Sequence, residues 1–162
     1  MPEPIRDQIL EKIVAKLQSM TGTRQWGTIG PWTYANNPVV KREFTTLEQA
    51  KEYPWLCVIE GPGSTFEEIA TGAAPYATFD HKFAVTVYGY VKGDDVTSRS
   101  RWLQRLWEDT VRTLLKNAKL DGIVRDLAID AGVETDEGEN EPLGAFAQGV
   151  TVLMDDHQVE VE

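Results

Sequence analysis

The clearest pattern in the chain is a strict alternation of apolar and polar positions over residues 79–91. One side of the predicted strand carries the apolar residues Phe79, Phe83, Val85, Val87 and Val91, and the other carries Asp80, Lys82, Thr86, Tyr88 and Tyr90. After a turn at residues 92–95, apolar residues recur at helical spacing, namely Leu103, Leu106, Trp107, Val111, Leu114 and Leu115. The pattern therefore predicts a half-buried strand followed by a long amphipathic helix that ends near Gly122.

The remaining periodic segments predict the rest of the fold. An apolar stripe over residues 5–20 predicts a first helix, and the continuous apolar run at residues 55–59 predicts a strand that is buried on both faces. Alternation over residues 127–133 and 146–154 predicts two further strands. This order of elements predicts a single α+β domain over residues 1–162. We expect a mostly antiparallel four- to five-stranded sheet with two main helices packed on one face.

Four segments are predicted to lie outside the main elements. Residues 23–38 are rich in Gly, Pro and Asn and are expected to form a long loop that carries Trp26, Trp32 and Tyr34. Residues 61–78 are expected to form a second loop, in which Ser64 and Glu67 have the spacing of a helix capping box. Residues 134–142 are expected to form an acidic loop and residues 155–162 an acidic tail.

The net charge of −10 is concentrated at one end of the chain. All 16 Lys and Arg residues lie at or before Arg125, whereas 11 of the 26 acidic residues follow it. Proteins that grip nucleic acid neutralise its phosphates with clustered cations, so this composition argues against such a function. A solvated acidic loop and tail is the simpler interpretation of the run, and the lining of a channel is the alternative.

Little in the sequence indicates catalysis or cofactor binding. The segment at residues 61–65 follows a strand but lacks the lysine of a phosphate-binding loop. Cys57 is expected to be a buried inert thiol, His81 a structural histidine, and the cluster around His157 a weak candidate for metal binding. We therefore predict no catalytic, cofactor or metal residues. No signal peptide and no run of about 20 apolar residues is present, so no membrane association is expected.

The order of the elements resembles the tail terminator family of long-tailed phages, also called tail completion or minor tail proteins. The resemblance rests on the N-terminal helix IRDQILEKIV, the segment YPWLCVIEG, the strand KFAVTVYGY, the helix that closes in KLDG and the terminal strand GVTVLM. It implies a non-enzymatic subunit of the virion tail, assembled in the host cytoplasm. The resemblance implies that such subunits form a hexameric ring that caps the head-proximal end of the tail tube, stops its polymerisation and provides the surface for head joining.

The resemblance also implies the partners of the chain. They would be further copies of itself, the tail tube protein and the head–tail connector protein, with DNA passing nearby without specific binding. The alternatives are a neck or head-completion connector protein, or, in a different class, a small binding module or an enzyme with an unrecognised pocket.

Two sets of residues are candidates for contacts in such a ring. Large aromatic residues outside the expected core are predicted to bind a neighbour, namely Trp26, Trp32, Tyr34, Tyr88 and Tyr90. The carboxylates of the acidic loop are predicted to face the channel, where they would repel DNA, namely Glu134, Asp136, Glu137, Glu139 and Glu141. The competing interpretation places Trp26, Trp32 and Tyr34 in the core of their own subunit.

Overall fold

The computed structural model describes residues 5–71, 76–136, 142–154 and 157–160. Its two helices are α1 (Ile5–Gln18) and α2 (Val96–Lys116), and a short 3-10 helix spans Leu120–Gly122. The strands are β1 (Thr23–Trp26), β2 (Ile29–Thr33), β3 (Val39–Lys41), β4 (Trp55–Glu60), β5 (Thr65–Thr71), β6 (Tyr76–Lys92), β7 (Asp126–Ile129), β8 (Glu134–Thr135), β9 (Leu143–Leu153) and β10 (His157–Glu160). The predicted α+β class is confirmed.

The main sheet is built around the 17-residue strand β6. Its central strands run in the order β3-β4-β6-β9-β7, while β5 and β10 pair with the first part of β6 and β8 pairs with β9. All of these pairings are antiparallel except that of β3 with β4, which makes the sheet mixed. β1 and β2 form a separate antiparallel hairpin.

One face of the sheet carries the core. The alternation in β6 and β9 is confirmed, since Phe83, Val85 and Val87 are buried on β6 and Val150 and Val152 are buried on β9. Both helices pack on this face, α1 against β3 and β4 and α2 against β6, β7 and β9. Asp95 caps α2 by accepting a hydrogen bond from the Ser98 amide, so the helix begins directly after the predicted turn.

Among the described residues, the opposite face of the sheet is covered at the end near residues 45–54. There, Leu47 and Ala50 pack with Cys57 and Tyr90 in a second buried cluster. The Tyr90 hydroxyl donates a 2.7 Å hydrogen bond to the carbonyl of Thr45. Towards β7 and β8, by contrast, the half-buried Thr86 and Tyr88 belong to a surface that no described helix covers.

Two of the predicted loops are wrong. Residues 23–38 contain the β1–β2 hairpin, whose two-residue turn places Gly27 at φ +61°, a conformation that glycine adopts without strain. Residues 65–71 form β5 instead of a helical turn, and Ser64 Oγ accepts a 3.0 Å hydrogen bond from the Ala84 amide of the neighbouring strand instead of capping a helix. Pairing with β6 thus overrides the local capping signal.

The β5–β6 hairpin extends the sheet beyond the layer of helices. β4 pairs with residues 85–90 of β6, whereas β5 pairs with residues 77–82 and β10 with residues 76–79. We call β5, residues 76–81 of β6, and β10 the β-arm. Within the described residues, neither α1 nor α2 packs more than marginally on β5 or β10.

Candidate interaction surfaces

A buried carboxylate on α2 anchors the β1–β2 hairpin. Asp109 is fully buried, and the Arg24 guanidinium donates to both of its oxygens, with Nε 3.0 Å from Oδ2 and Nη2 3.0 Å from Oδ1. The Trp26 indole nitrogen donates to Oδ1 at 2.9 Å, and the Tyr34 hydroxyl donates to Oδ2 at 2.9 Å. Because a buried charge is tolerated only when it is paired and hydrogen-bonded, this arrangement stabilises the carboxylate and fixes the hairpin on the helix.

The aromatic residues of this region therefore serve their own subunit. Trp32 and Tyr34 are 6% and 5% exposed and belong to the main core, while Trp26 is half-buried against it. Burial, and secondarily the Asp109 charge, raise the pKa of Tyr34 well above its usual value. The prediction that Trp32 and Tyr34 are exposed interface anchors is wrong, because the hairpin brings them onto α2.

The two tyrosines on the polar side of β6 differ in their surroundings. Tyr90 is 4% exposed because residues 45–54 cover it, so it does not offer a surface to a partner either. Tyr88 is half-buried and stands edge-on to the exposed ring of Phe44, with 5.3 Å between the ring centroids. Of the five predicted interface residues, Trp26 and Tyr88 are the ones that retain accessible surface.

The acidic segment is partly folded into the subunit. Asp136 forms a salt bridge with Arg99 of α2, and the two side chains are 8% and 6% exposed. Arg99 also donates a 2.7 Å hydrogen bond to the Leu143 carbonyl, and its backbone lies so close to Gly93 that a Cβ there would clash. The prediction that Asp136 faces a channel is wrong, since its charge is neutralised inside the protein.

Of the other predicted channel residues, Glu134 is the one that the structure describes. Glu134 is exposed on β8 and no described Lys or Arg pairs with it. Glu137, Glu139 and Glu141 lie outside the described residues. Position 134 is therefore the part of the acidic loop whose charge is known to be available to a partner.

A buried glutamine is the residue that sequence reasoning missed. Gln148 is 1% exposed on the core side of β9, where the alternation calls for an apolar residue. Its Oε1 accepts a 2.9 Å hydrogen bond from the Trp107 indole, and its Nε2 donates to the carbonyls of Asp130 and Gly149. Gln148 thereby joins α2 to the segment between β7 and β8. The sequence contained a signal for this residue, because Gln148 occupies a position of the β9 alternation that is otherwise apolar.

The other candidate residues have structural surroundings. His81 Nε2 lies 2.9 Å from the Arg6 guanidinium, which also bonds Glu60 on β4. Cys57 is a buried free cysteine whose Sγ is 3.7 Å from the Thr45 carbonyl. Among the described residues, no group of three or more His, Cys, Asp or Glu side chains is placed to hold a metal ion.

Two of the charged surfaces formed by the described residues are accessible to a partner. The first, which we call the basic ridge, is formed by Arg101 and Arg105 on the outer side of α2. The second, which we call the acidic depression, carries Asp130 and Glu134 beside Tyr88, Thr86 and Gly149 on the uncovered face of the sheet. Its volume is about 510 Å³.

No helix in the described part of the chain is long and apolar enough to cross a membrane. Comparison with known proteins gives no family: no protein-family model and no curated protein matches this chain.

Proposed function

We propose that this chain is a structural subunit of a phage tail that forms a ring, with six copies as the expected number, at the head-proximal end of the tail tube. The ring would stop tube polymerisation and provide the surface on which the head connector joins. Its partners would be copies of itself, the tail tube protein and the connector protein, and DNA would pass through without specific binding. The order of helices and strands quoted above is what suggests this family.

The β-arm is the observation that carries the proposal. At about 3.4 Å per residue, the seven residues of β5 extend roughly 24 Å along the arm. An isolated two-stranded hairpin is at best marginally stable in water, and a three-stranded ribbon needs a hydrophobic face or a packed helix to be stable alone. Neither described helix packs more than marginally on β5 or β10. A strand edge with free amides and carbonyls is also a ready template for pairing with another chain. An arm with these properties suits a protein whose final state is an assembly.

The internal contacts support the same function. The buried ion pairs of Asp109 and Asp136 fix the hairpin and the start of the acidic loop on α2. Fixed loops favour association because less conformational freedom is lost when the partner binds. A subunit whose loops are fixed before binding is suited to a structural role in a virion.

The test is assembly with the cognate tail tube protein. Purified chain is added to growing tubes, and electron microscopy measures tube length and the density at each tube end. We expect a closed ring of density at one end and tubes that stop growing. Tubes that elongate unchanged, with no added density at either end, would overturn the proposal.

A shortened variant tests whether the β-arm takes part. Phe66 and His81 are opposite each other on β5 and β6. Replacing residues 67–80 with Asn-Gly would connect these two residues by a favoured two-residue hairpin turn. This variant should melt close to the wild type, because it retains His81, which contacts Arg6 of α1, yet it should fail to cap tubes. The matched control is Val96→Ala, which shortens an exposed apolar side chain outside the arm and should leave capping intact.

A further inference from the structure

We propose that neighbouring copies of this chain bind each other through the basic ridge of one copy and the acidic depression of the next. The inference rests on the proposed function for the closure of the contacts into a ring, but the contact itself is argued from charge and geometry. The occupant of each surface is therefore a second copy of the chain.

The basic ridge points away from the core of its own subunit. At 100° per residue, Arg101, Arg105 and Arg112 lie opposite the buried residues Leu103, Leu106 and Thr110 of α2. Arg112 is paired with Glu108, and Arg105 stacks on the Trp102 ring at 4.9 Å. Among the described carboxylates, none forms a salt bridge with Arg101 or Arg105. Two guanidinium charges, one helical turn apart, are thus available to a partner.

The same side of α2 carries an exposed apolar residue. Leu115 is 48% exposed and projects from the same side of α2 as Arg101 and Arg112, although its spacing in the sequence predicts burial. Leu115 is next to Arg112, which is paired with Glu108, and lies about 15 Å along the helix axis from Arg105, at about 1.5 Å per residue. It therefore lies outside the basic ridge.

The acidic depression has the complementary chemistry. Asp130 and Glu134 both line it, and no described Lys or Arg forms a salt bridge with either. Asp130 is held in place because Thr151 donates a 2.7 Å hydrogen bond to its Oδ1. Gly149 permits this position, since a Cβ there would clash with Asp130 Oδ2. Carboxylates placed beside the half-buried ring of Tyr88 suit a guanidinium, which combines charge with a flat face.

The two surfaces lie on opposite sides of the molecule, and this decides the symmetry. The ridge is on the outer side of α2, which covers one face of the sheet, whereas the depression is on the other face. A two-fold dimer would have to close both ridge–depression contacts at once, which requires the two surfaces on one side. The contact is therefore heterologous and leaves a free ridge and a free depression to continue the assembly.

In this contact, Glu134 lies between subunits and not on the wall of a channel. The two positions respond to salt in opposite ways. Repulsion between carboxylates around a channel is relieved by salt, whereas attraction between Arg101, Arg105 and the depression is weakened by it. Association of the wild-type chain should therefore decrease as the salt concentration rises.

Charge exchange tests the contact. Variant one carries Arg101→Glu and Arg105→Glu, and variant two carries Asp130→Lys and Glu134→Lys. Sedimentation velocity at low salt should show self-association of each variant weakened ~10-fold or more. An equimolar mixture of the two should associate again, with the variants alternating along the assembly. The reversed ridge of variant one fits the reversed depression of variant two, and the unaltered ridge of variant two fits the unaltered depression of variant one. Lys119→Glu and Glu52→Lys are the matched controls, since they change exposed charges elsewhere and should associate as the wild type does.

The outcomes separate this contact from the proposed function. If the wild type associates with the expected charge dependence but does not cap tubes, the contact stands and the proposed function fails. If it caps tubes and both charge variants cap equally well, the proposed function stands and the contact is overturned. Absence of association both in solution at low salt and at tube ends also overturns the contact, as does a mixture of variants that stays unassociated.

Discussion

The indole nitrogen of Trp26 donates a 2.9 Å hydrogen bond to the carboxylate of Asp109 and so joins the hairpin to α2. The same carboxylate binds Arg24 and Tyr34, so three side chains from one segment converge on one helical residue. A segment rich in Gly and Pro gains a fixed position in this way without a large apolar face of its own. Its aromatic residues contribute to folding through both their rings and their polar atoms.

Asp109→Asn should destabilise the subunit. The Arg24 guanidinium would keep its charge in a partly buried site without the opposing carboxylate, and breaking a buried pair costs about 3 kcal/mol or more. Thermal unfolding followed by circular dichroism measures the loss. Asp121→Asn is the control, because Asp121 is an exposed carboxylate and asparagine adopts its positive φ readily. Equal melting temperatures for the two variants would contradict the anchoring role of Asp109.

Trp32→Ala should lower the stability of the isolated subunit by about 3–5 kcal/mol, because it leaves a cavity in the main core. The matched control is Phe44→Ala, since Phe44 is 55% exposed and its loss leaves no buried cavity. Denaturant titrations of the separate subunits measure both changes. A Trp32→Ala subunit that unfolds like the wild type and is defective only in assembly would restore the interpretation of Trp32 as an interface residue.

Much of the fold follows from local periodicity. In β6, β9, α1 and α2 the apolar residues recur at the period of one element, and burial of that stripe is sufficient to place each element in the core. The hairpin was missed because Gly27, Gly30 and Pro31 obscure the period of its two short strands. The turn signal was present, since the Gly-Thr pair at residues 27 and 28 occupies a two-residue connection between Trp26 and Ile29.

The surroundings of charged side chains were less predictable. Asp109 is one acidic residue on an amphipathic helix, and its partners Arg24, Trp26 and Tyr34 lie 75 or more positions away. Asp136 lies in an acidic run, but its buried partner Arg99 precedes it by 37 residues. Neither pairing has a short-range pattern, because such contacts depend on how the elements pack. Composition alone therefore assigns Asp136 to solvent, while packing places it inside.

Neutralising Asp136 and neutralising Glu134 should have different effects, although each removes one negative charge. Asp136→Asn leaves the buried Arg99 unpaired and should destabilise the subunit by about 3–5 kcal/mol. Glu134→Gln changes an exposed side chain and should leave the melting temperature nearly unchanged while weakening self-association at low salt. Calorimetry measures the first effect and sedimentation the second. If Glu134→Gln instead strengthens association, Glu134 is subject to repulsion as expected for a channel wall.

Tyr34 should make the subunit sensitive to high pH. Burial, and secondarily the neighbouring Asp109 charge, raise the pKa of its hydroxyl in the folded state, while in the unfolded chain it titrates near pH 10. A raised folded pKa means that the stabilisation is fully present below pH ~10 and is lost as the pH rises further, because the unfolded state then releases a proton that the folded state retains. Each such group contributes a slope of about 1.4 kcal/mol per pH unit to the loss of stability.

Tyr34→Phe isolates this contribution. The variant lacks the hydroxyl, so it should be less stable than the wild type by about 1.5–3 kcal/mol near neutral pH, the range for a hydrogen bond to a charged group. Above pH ~10 the difference should shrink, because the wild type alone loses the Tyr34 contribution while all other titrating groups act equally in both proteins. Urea unfolding of the two proteins at several alkaline pH values measures the difference directly. Two stability curves that stay parallel to pH ~11 would show that Tyr34 titrates alike in the folded and unfolded states, contrary to its burial against Asp109.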